Sequence, residues 1–220
     1  MSTSKIKVAF IDVDRTIFSV NSGNILVWKA FTGKLMGINQ LLKAFWYAVL
    51  YRLRIGNASD IIDKMALWTE GVKAEEFEKL CQKIFETYLK KKIRPEIINE
   101  VKILIEDGIK PVILSAALSA ICKPTALILD IQEVICSELA VINGKYTGFP
   151  QGKINYAEEK LSRVIDYCKQ NKINLNDASC YSDSFSDIPV LQSVGLAFCI
   201  SPDKRLRNKA KKMNWKILDW

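Results

Sequence analysis

The chain of 220 residues contains no histidine. That absence removes histidine-based triads, histidine-phosphate chemistry and the ordinary zinc sites built on imidazole. Six cysteines, at 81, 122, 136, 168, 180 and 199, form no Cys-x-x-Cys pair. Several lie inside apolar runs such as "EVICSEL" and "LAFCIS", and they read as buried thiols in a reducing cytoplasm. The N-terminus "MSTSKIKVAF" has no signal-peptide hydrophobic region. Long uncharged apolar runs are missing as well. In "LMGINQLLKAFWYAVLYRL", residues 35 to 53, the longest charge-free stretch is eight residues, whereas a spanning helix needs roughly 20. That segment fits the packed interior of a helical region, a dimer face or a contact lying on a membrane surface.

Acid is scarcer than base, with 24 acidic and 32 basic residues and a formal charge of +8. Much of the excess sits in "KKK" (90–92) and "KRLRNKAKK" (204–212). These runs are solvated helical faces or they attract anions. The anionic partners this leaves open are phosphorylated substrates, membrane surfaces and nucleic acid; the motifs below favour a small phosphate ester over nucleic acid, with peripheral membrane contact through the apolar helix as a further option. The sequence leaves the oligomeric state open.

What is present is an alternation. Short apolar runs rich in branched residues occur at "KVAFID" (7–12), "KPVILSA" (110–116), "EVICSELAV" (133–141), "SCYSD" (179–183) and "LAFCIS" (196–201). Helical patterns separate them, for instance "PEIINEVKILIEDG" (95–108), which starts on proline and stops at glycine, and "AEEKLSRVIDYCKQN" (157–171). This order predicts an α/β fold with a Rossmann-like, mostly parallel sheet and helices on both faces. Two places break it. From Ile17 to Pro95 there is only helix-forming sequence, and "AVINGKYTGF" reads as a hairpin around Asn143-Gly144.

In such a sheet, ligands bind beyond the carboxyl ends of the strands. The polar residues at those ends are Asp12 and Asp14, then Ser115, then Asp183 and Asp187. Alone, Asp12 and Asp14 could close a turn, and Asp187 could cap a helix starting at Ile188-Pro189. Together they describe one acidic pocket. Like charges about 4 Å apart repel by roughly 4 kcal/mol at an effective dielectric of 20, so some carboxyls stay protonated or a cation lies among them. An all-oxygen set favours a hard ion such as Mg²⁺. One carboxylate is then left as a nucleophile for phosphorus.

"FIDVDRT" resembles the first signature of the haloacid dehalogenase superfamily, a strand ending in Asp-x-Asp-x-Thr. Ser115 in "VILSA" resembles the second signature and "YSDSFSD" (181–187) the fourth. For the third, a lysine, Lys153 and Lys160 both offer themselves. The spacing of "YTGFPQGKINYAEEKL" matches the phosphoserine-phosphatase-like subfamily IB at Lys160. The C-terminal "ISPDKRLRNKAKKMNWKILDW" is similar to that subfamily's end. The resemblance implies a Mg²⁺-dependent phosphomonoester hydrolase working through an aspartyl phosphate. Asp12 would be the nucleophile and a metal ligand. Asp14 would be the general acid and base, its carbonyl a further ligand. Ser115 would bind phosphate, Lys160 would neutralise Asp12 and the phosphate, and Asp183 would ligate the metal. Thr16 would brace the loop, and Asp187 would support Lys160 or the metal waters. It also implies a core of residues 1–17 and 93–220 with a helical, C1-type cap at 18–92.

Two positions depart from the pattern. Arg15 stands where the family commonly has a small residue or glycine. Asn21 stands where phosphoserine phosphatases carry a glutamate that grips the substrate amine. Both are candidates for selecting the substrate, and Asn21 implies that this substrate is not phosphoserine. The aromatic "AFWYAVLY" and the arginines at 52 and 54 suit a substrate with an apolar portion or extra negative charge. A lipid phosphatase at a membrane surface is the alternative enzyme. A phosphate-responsive binding module of the receiver type is the alternative from another class, opposed by the intact Asp14 and the large insertion.

Overall fold

β1 (Val8–Ile11) is fully buried and has parallel neighbours on both sides. A strand covered on both faces needs no polar alternation. Its side chains divide between two layers, Ala9 and Ile11 into one, Val8 and Phe10 into the other. The computed structural model describes residues 5–53, 55–56 and 58–220, without the side chains of residues 51, 52, 58 and 59. The side chain of Arg52 and all of residue 54 therefore lie outside the description.

Around β1 a six-stranded parallel sheet runs in the order β3 (Glu133–Ser137), β2 (Lys110–Leu118), β1, β6 (Ala178–Ser182), β7 (Leu196–Ile200), β8 (Lys216–Leu218). The helices α5 (Pro95–Glu106) and α6 (Ser119–Ile128) bury Ile97, Val101, Leu104 and Ile121 on one face. On the other, α7 (Glu158–Gln170), α8 (Ile188–Ser193) and α9 (Lys204–Met213) bury Val164, Leu191 and Leu206. The apolar run 133–141 does not stay one strand. It divides into β3 and β4 (Leu139–Ile142), and β4 leaves the sheet to pair with β5 (Lys145–Pro150). Asn143 and Gly144 both take positive φ between them, as a tight hairpin turn requires.

Ahead of α5, an insertion after β1 carries four α-helices among the described residues: α1 (Ser22–Thr32), α2 (Ile38–Leu53), α3 (Ala58–Lys64) and α4 (Ala74–Thr87). This insertion leaves and re-enters the core side by side. Phe18 bridges Ile93, the Ser19 N–H donates to the Lys92 carbonyl at 2.8 Å, and the Arg94 N–H donates to the Ile17 carbonyl at 2.9 Å. Its buried Leu26, Trp68, Phe77 and Phe85 are continuous with the α5–α6 layer. It is also tied to the β4–β5 hairpin. Tyr146 donates to the Val72 carbonyl and accepts from Gly71, both at 2.9 Å. Where the two surfaces meet, Gly148 has φ +83° and a side chain there would come within 3.0 Å of the Glu70 Cβ.

α2 turns Ala44 inward but leaves Ile38, Leu42, Phe45, Trp46 and Leu53 exposed. Its apolar character is thus not accounted for by interior packing. Among the described residues no helix is long and apolar enough to cross a membrane.

Candidate active site

The strand ends meet in an open cleft of about 750 Å³ between the sheet edge and the insertion. Asp12 follows β1 directly and is held by its own N–H donating to the Tyr181 carbonyl at 3.0 Å. The chain then turns back on itself, with Ile17 N–H reaching the Asp12 carbonyl and Phe18 N–H the Val13 carbonyl. Arg15, in that turn, has φ 58°. This left-handed conformation suits glycine and costs other residues about 1 kcal/mol, which gives a physical reason for the small residue common there. The Arg15 side chain is exposed at the cleft.

Of the two candidate lysines, Lys153 is exposed and Lys160 is buried. Lys160 extends from the first turn of α7 and donates to Asp12 Oδ1 at 2.8 Å and to both Asp187 oxygens at 3.0 and 2.9 Å. Burial alone would pull its ammonium pKa down, but the two carboxylates reverse this and raise it. The lysine stays charged. Asp187 stands at the N-terminus of α8 without capping it through its side chain. Its carboxylate instead accepts from Lys160 and the Ser182 hydroxyl, so the simple helix-cap reading of this residue does not apply.

Burial pushes Asp12 up to about 7 against the pull of Lys160. Burial, with help from Asp12 and Asp187, pushes Asp183 up to about 8. One lysine does not compensate this much buried acid, and the donors are hard oxygens that fit a divalent ion such as Mg²⁺. Among the described residues no three acidic or cysteine side chains gather closely enough to hold a metal by themselves. The expected set needs only Asp12, Asp183 and the Asp14 carbonyl.

Asp14 bends toward the insertion. Its Oδ1 accepts from the Ser22 N–H at 2.7 Å and its Oδ2 from the Asn21 side chain at 3.2 Å. Burial raises its pKa, partly offset by the Ser22 contacts. Asn21 also caps α1, accepting from the Asn24 N–H at 2.9 Å. Asn21 lines the cleft, yet its amide is spent on Asp14, a partner its sequence position alone did not suggest. Thr16 is fully buried and its hydroxyl has no hydrogen-bond partner among the described residues. It can brace the loop only by packing.

Ser115 lies where β2 loses register with β3, between Leu114 and Leu118. Its Oγ accepts from the Ala117 N–H at 3.2 Å, leaving the hydroxyl proton to point at an anion. Two supporting residues escaped the sequence reading. Buried Asn155 donates to the Ser115 carbonyl at 3.0 Å and the Ile135 carbonyl at 2.9 Å, clamping β2 to β3 beside the site. Asp203 caps α9 and accepts from the Phe185 N–H at 2.8 Å, while its own N–H donates to the Asp183 carbonyl at 2.9 Å. The Asp203 signal was visible as Pro-Asp before a basic helix. Nothing local marks Asn155.

The family model described as haloacid dehalogenase-like hydrolase matches residues 9–192. The "Inhibition of morphological differentiation protein" of Streptomyces azureus is 27% identical over 218 residues, covering 96% of this chain and 78% of that one. "Phosphoserine phosphatase SerB1" of Mycobacterium tuberculosis is 25% identical over 217 residues, covering 96% and 70%. Among solved structures, a Bordetella pertussis protein of unknown function superposes with a TM-score of 0.86 at 21% identity over 98% of this chain and 99% of that one. A substrate-bound phosphoserine phosphatase superposes at 0.75 with 17% identity over 98% and 94%. These structural likenesses speak to the fold. With the family model matched over most of its length, the chain belongs to the haloacid dehalogenase-like hydrolases and is an enzyme of their phosphatase kind.

Proposed function

We propose that the chain hydrolyses a small phosphate monoester with an apolar portion, in two steps through an aspartyl phosphate on Asp12. The observation that carries this is the buried Lys160 spanning Asp12 and Asp187. It favours the carboxylate form of Asp12 against the burial that raises that group to about 7, at the spot where a phosphoryl group would meet Ser115. Asp12, Asp183 and the Asp14 carbonyl would hold Mg²⁺, which when bound supplies positive charge against the phosphoryl oxygens.

In the first step an Asp12 carboxylate oxygen bonds to phosphorus as the bond to the leaving oxygen breaks. Asp14, whose carboxyl pKa burial raises above its ordinary range, gives its proton to that oxygen. In the second, Asp14 takes a proton from water, whose oxygen bonds to phosphorus and releases Asp12 and inorganic phosphate. Ser115 and the amides after it hold the phosphoryl oxygens. Lys160 offsets their charge, and such preorganised electrostatics supply most of the rate in phosphoryl transfer.

Residues 18–92 act as a cap that selects the leaving group. From the insertion the cleft is lined by Leu26, Val27, Ile62, Met65 and Trp68, by the neutral polar Asn21, Asn24 and Thr69, and by no aspartate or glutamate among the described residues. An ammonium group finds no free carboxylate there, which supports a substrate other than phosphoserine. A lipid phosphate ester is the second reading, favoured by the same apolar wall. Six unpaired cysteines support a reducing, cytoplasmic compartment.

The test is Asp12→Asn assayed on a soluble aryl phosphate, beside wild-type protein in excess chelator. Turnover should fall by several orders of magnitude, about 10³-fold or more, in the variant, and to a similar floor on chelation. Full activity in either case refutes the mechanism.

A further inference from the structure

The outer face of α2 is built for a surface rather than for the protein interior. Ile38, Leu42, Phe45, Trp46 and Leu53 recur at helical spacing on one side. Phe45 is 67% and Trp46 59% exposed. The stripe runs roughly 22 Å along the helix. Scattered exposed apolar residues need no explanation, but a continuous stripe containing both aromatic types does.

Charge says what covers it. From Arg15 to Ser59 the sequence has no aspartate or glutamate and six lysines and arginines. Of these, Lys29, Lys34 and Lys43 are exposed on α1, after it and on α2. A second copy of the chain seated on this face would bring like-charged lysines together, because a two-fold contact pairs the same patch with itself. An anionic surface meets no such repulsion. Aromatic and aliphatic side chains on one face of a helix, flanked by lysines and without acid, are the composition of a helix lying in the plane of a lipid interface. The helix is too short and too polar to cross.

We propose that the exposed face of α2 docks the protein on an anionic bilayer surface, with Phe45 and Trp46 entering the acyl boundary and Lys34 and Lys43 meeting the headgroups. On its inner side the same helix contributes Ala48 to the cleft wall. Ala48 lies one turn from Phe45, so the docked face borders the cleft wall on a single helix, while Phe45 and Trp46 themselves do not line the cleft. This inference is independent of the reaction at Asp12.

The experiment is flotation of the full chain with vesicles of phosphatidylcholine alone or with about 30% phosphatidylglycerol. The protein should float with the anionic vesicles and not with the neutral ones. Raising salt from about 0.1 M to about 1 M, which shortens the screening length from about 10 Å to about 3 Å, should weaken binding. F45E/W46E should reduce the bound fraction by about tenfold or more while turnover of a soluble aryl phosphate is unchanged. K34E/K43E should weaken binding without touching the apolar stripe. Wild-type protein that stays with the unbound fraction on anionic vesicles overturns the proposal, as does F45E/W46E floating like wild type. A dimer in light scattering that F45E/W46E dissociates, without vesicle binding, assigns the face to a second copy and overturns it equally.

Discussion

On the floor of the cleft, Asp12 and Asp187 share one buried lysine, with Asp14 and Asp183 lining the same floor; on the wall opposite, the insertion contributes apolar and neutral polar side chains and, among the described residues, no carboxylate. The floor is made of charged groups fixed by the sheet and by each other, and on the proposed reading it would address only the phosphoryl group that all phosphomonoesters share. The wall would address whatever the phosphate is attached to. Damage to the floor should therefore lower turnover of every substrate by a similar factor. Damage to the wall should change the ranking among substrates. Asn21 stands at the seam, capping α1 of the wall while donating to Asp14 of the floor.

The largest effect belongs to the floor. Lys160→Met should cut kcat/KM by about 10³-fold on aryl, sugar and alkyl phosphates alike, as expected when a buried charge facing the transition state is removed. A loss confined to one substrate would mean that Lys160 reads the leaving group and that floor and wall are not separate. On the wall, wild type should prefer an apolar phosphate ester to phosphoserine by about tenfold or more in kcat/KM. Trp68→Ala should shrink that preference by about tenfold, the worth of one lost apolar contact of about 1–3 kcal/mol. Phosphoserine winning the comparison would show that a group outside the described wall binds its amine.

A smaller effect separates the two regions by pH. Asp12 and Asp183 are raised to about 7 and about 8 in the folded protein, above an unfolded aspartate near about 3.9. A carboxyl that holds its proton more tightly when folded contributes stability at low pH and loses it as pH rises through the folded value. Metal-free protein should lose several degrees of Tm between about pH 4 and pH 8, a modest change for a chain of this size. Asp183→Asn should flatten the profile, and added magnesium should restore Tm at the alkaline end. A metal-free Tm that climbs across that window would contradict the burial of these groups.

The floor was legible in the sequence because its residues follow a strand, begin a helix or, like Ser115, sit where a strand breaks register. Asp12, Ser115 and Asp183 need only the strands' parallel order to converge, and Lys160 needs only the register of α7. The wall was less legible. The apolar run in α2 looks alike whether its outer side is covered or bare, and the structure leaves Phe45 and Trp46 bare. The run 133–141 hid a strand break at Glu138, because the pattern of apolar residues continues across the change of sheet. Asn155 was invisible for another reason. Its amide clamps two strands 20 and 40 residues away in sequence, and no local pattern encodes such a contact.

The contact between the insertion and the β4–β5 hairpin has a kinematic consequence. Main-chain bonds join Gly71, Val72 and Tyr146, and a Cβ at Gly148 would lie 3.0 Å from the Glu70 Cβ and 3.3 Å from the Leu67 carbonyl. Two bodies joined by backbone bonds with no slack between them travel as one. Opening of the cleft would therefore carry residues 139–150 along with 18–92. Its pivots would lie at the paired strands through Phe18 and Ile93 and at the two ends of the hairpin. A single methyl group at 148, at φ +83° and 3.0 Å from the Glu70 Cβ, would press on that joint at a point no catalytic residue touches.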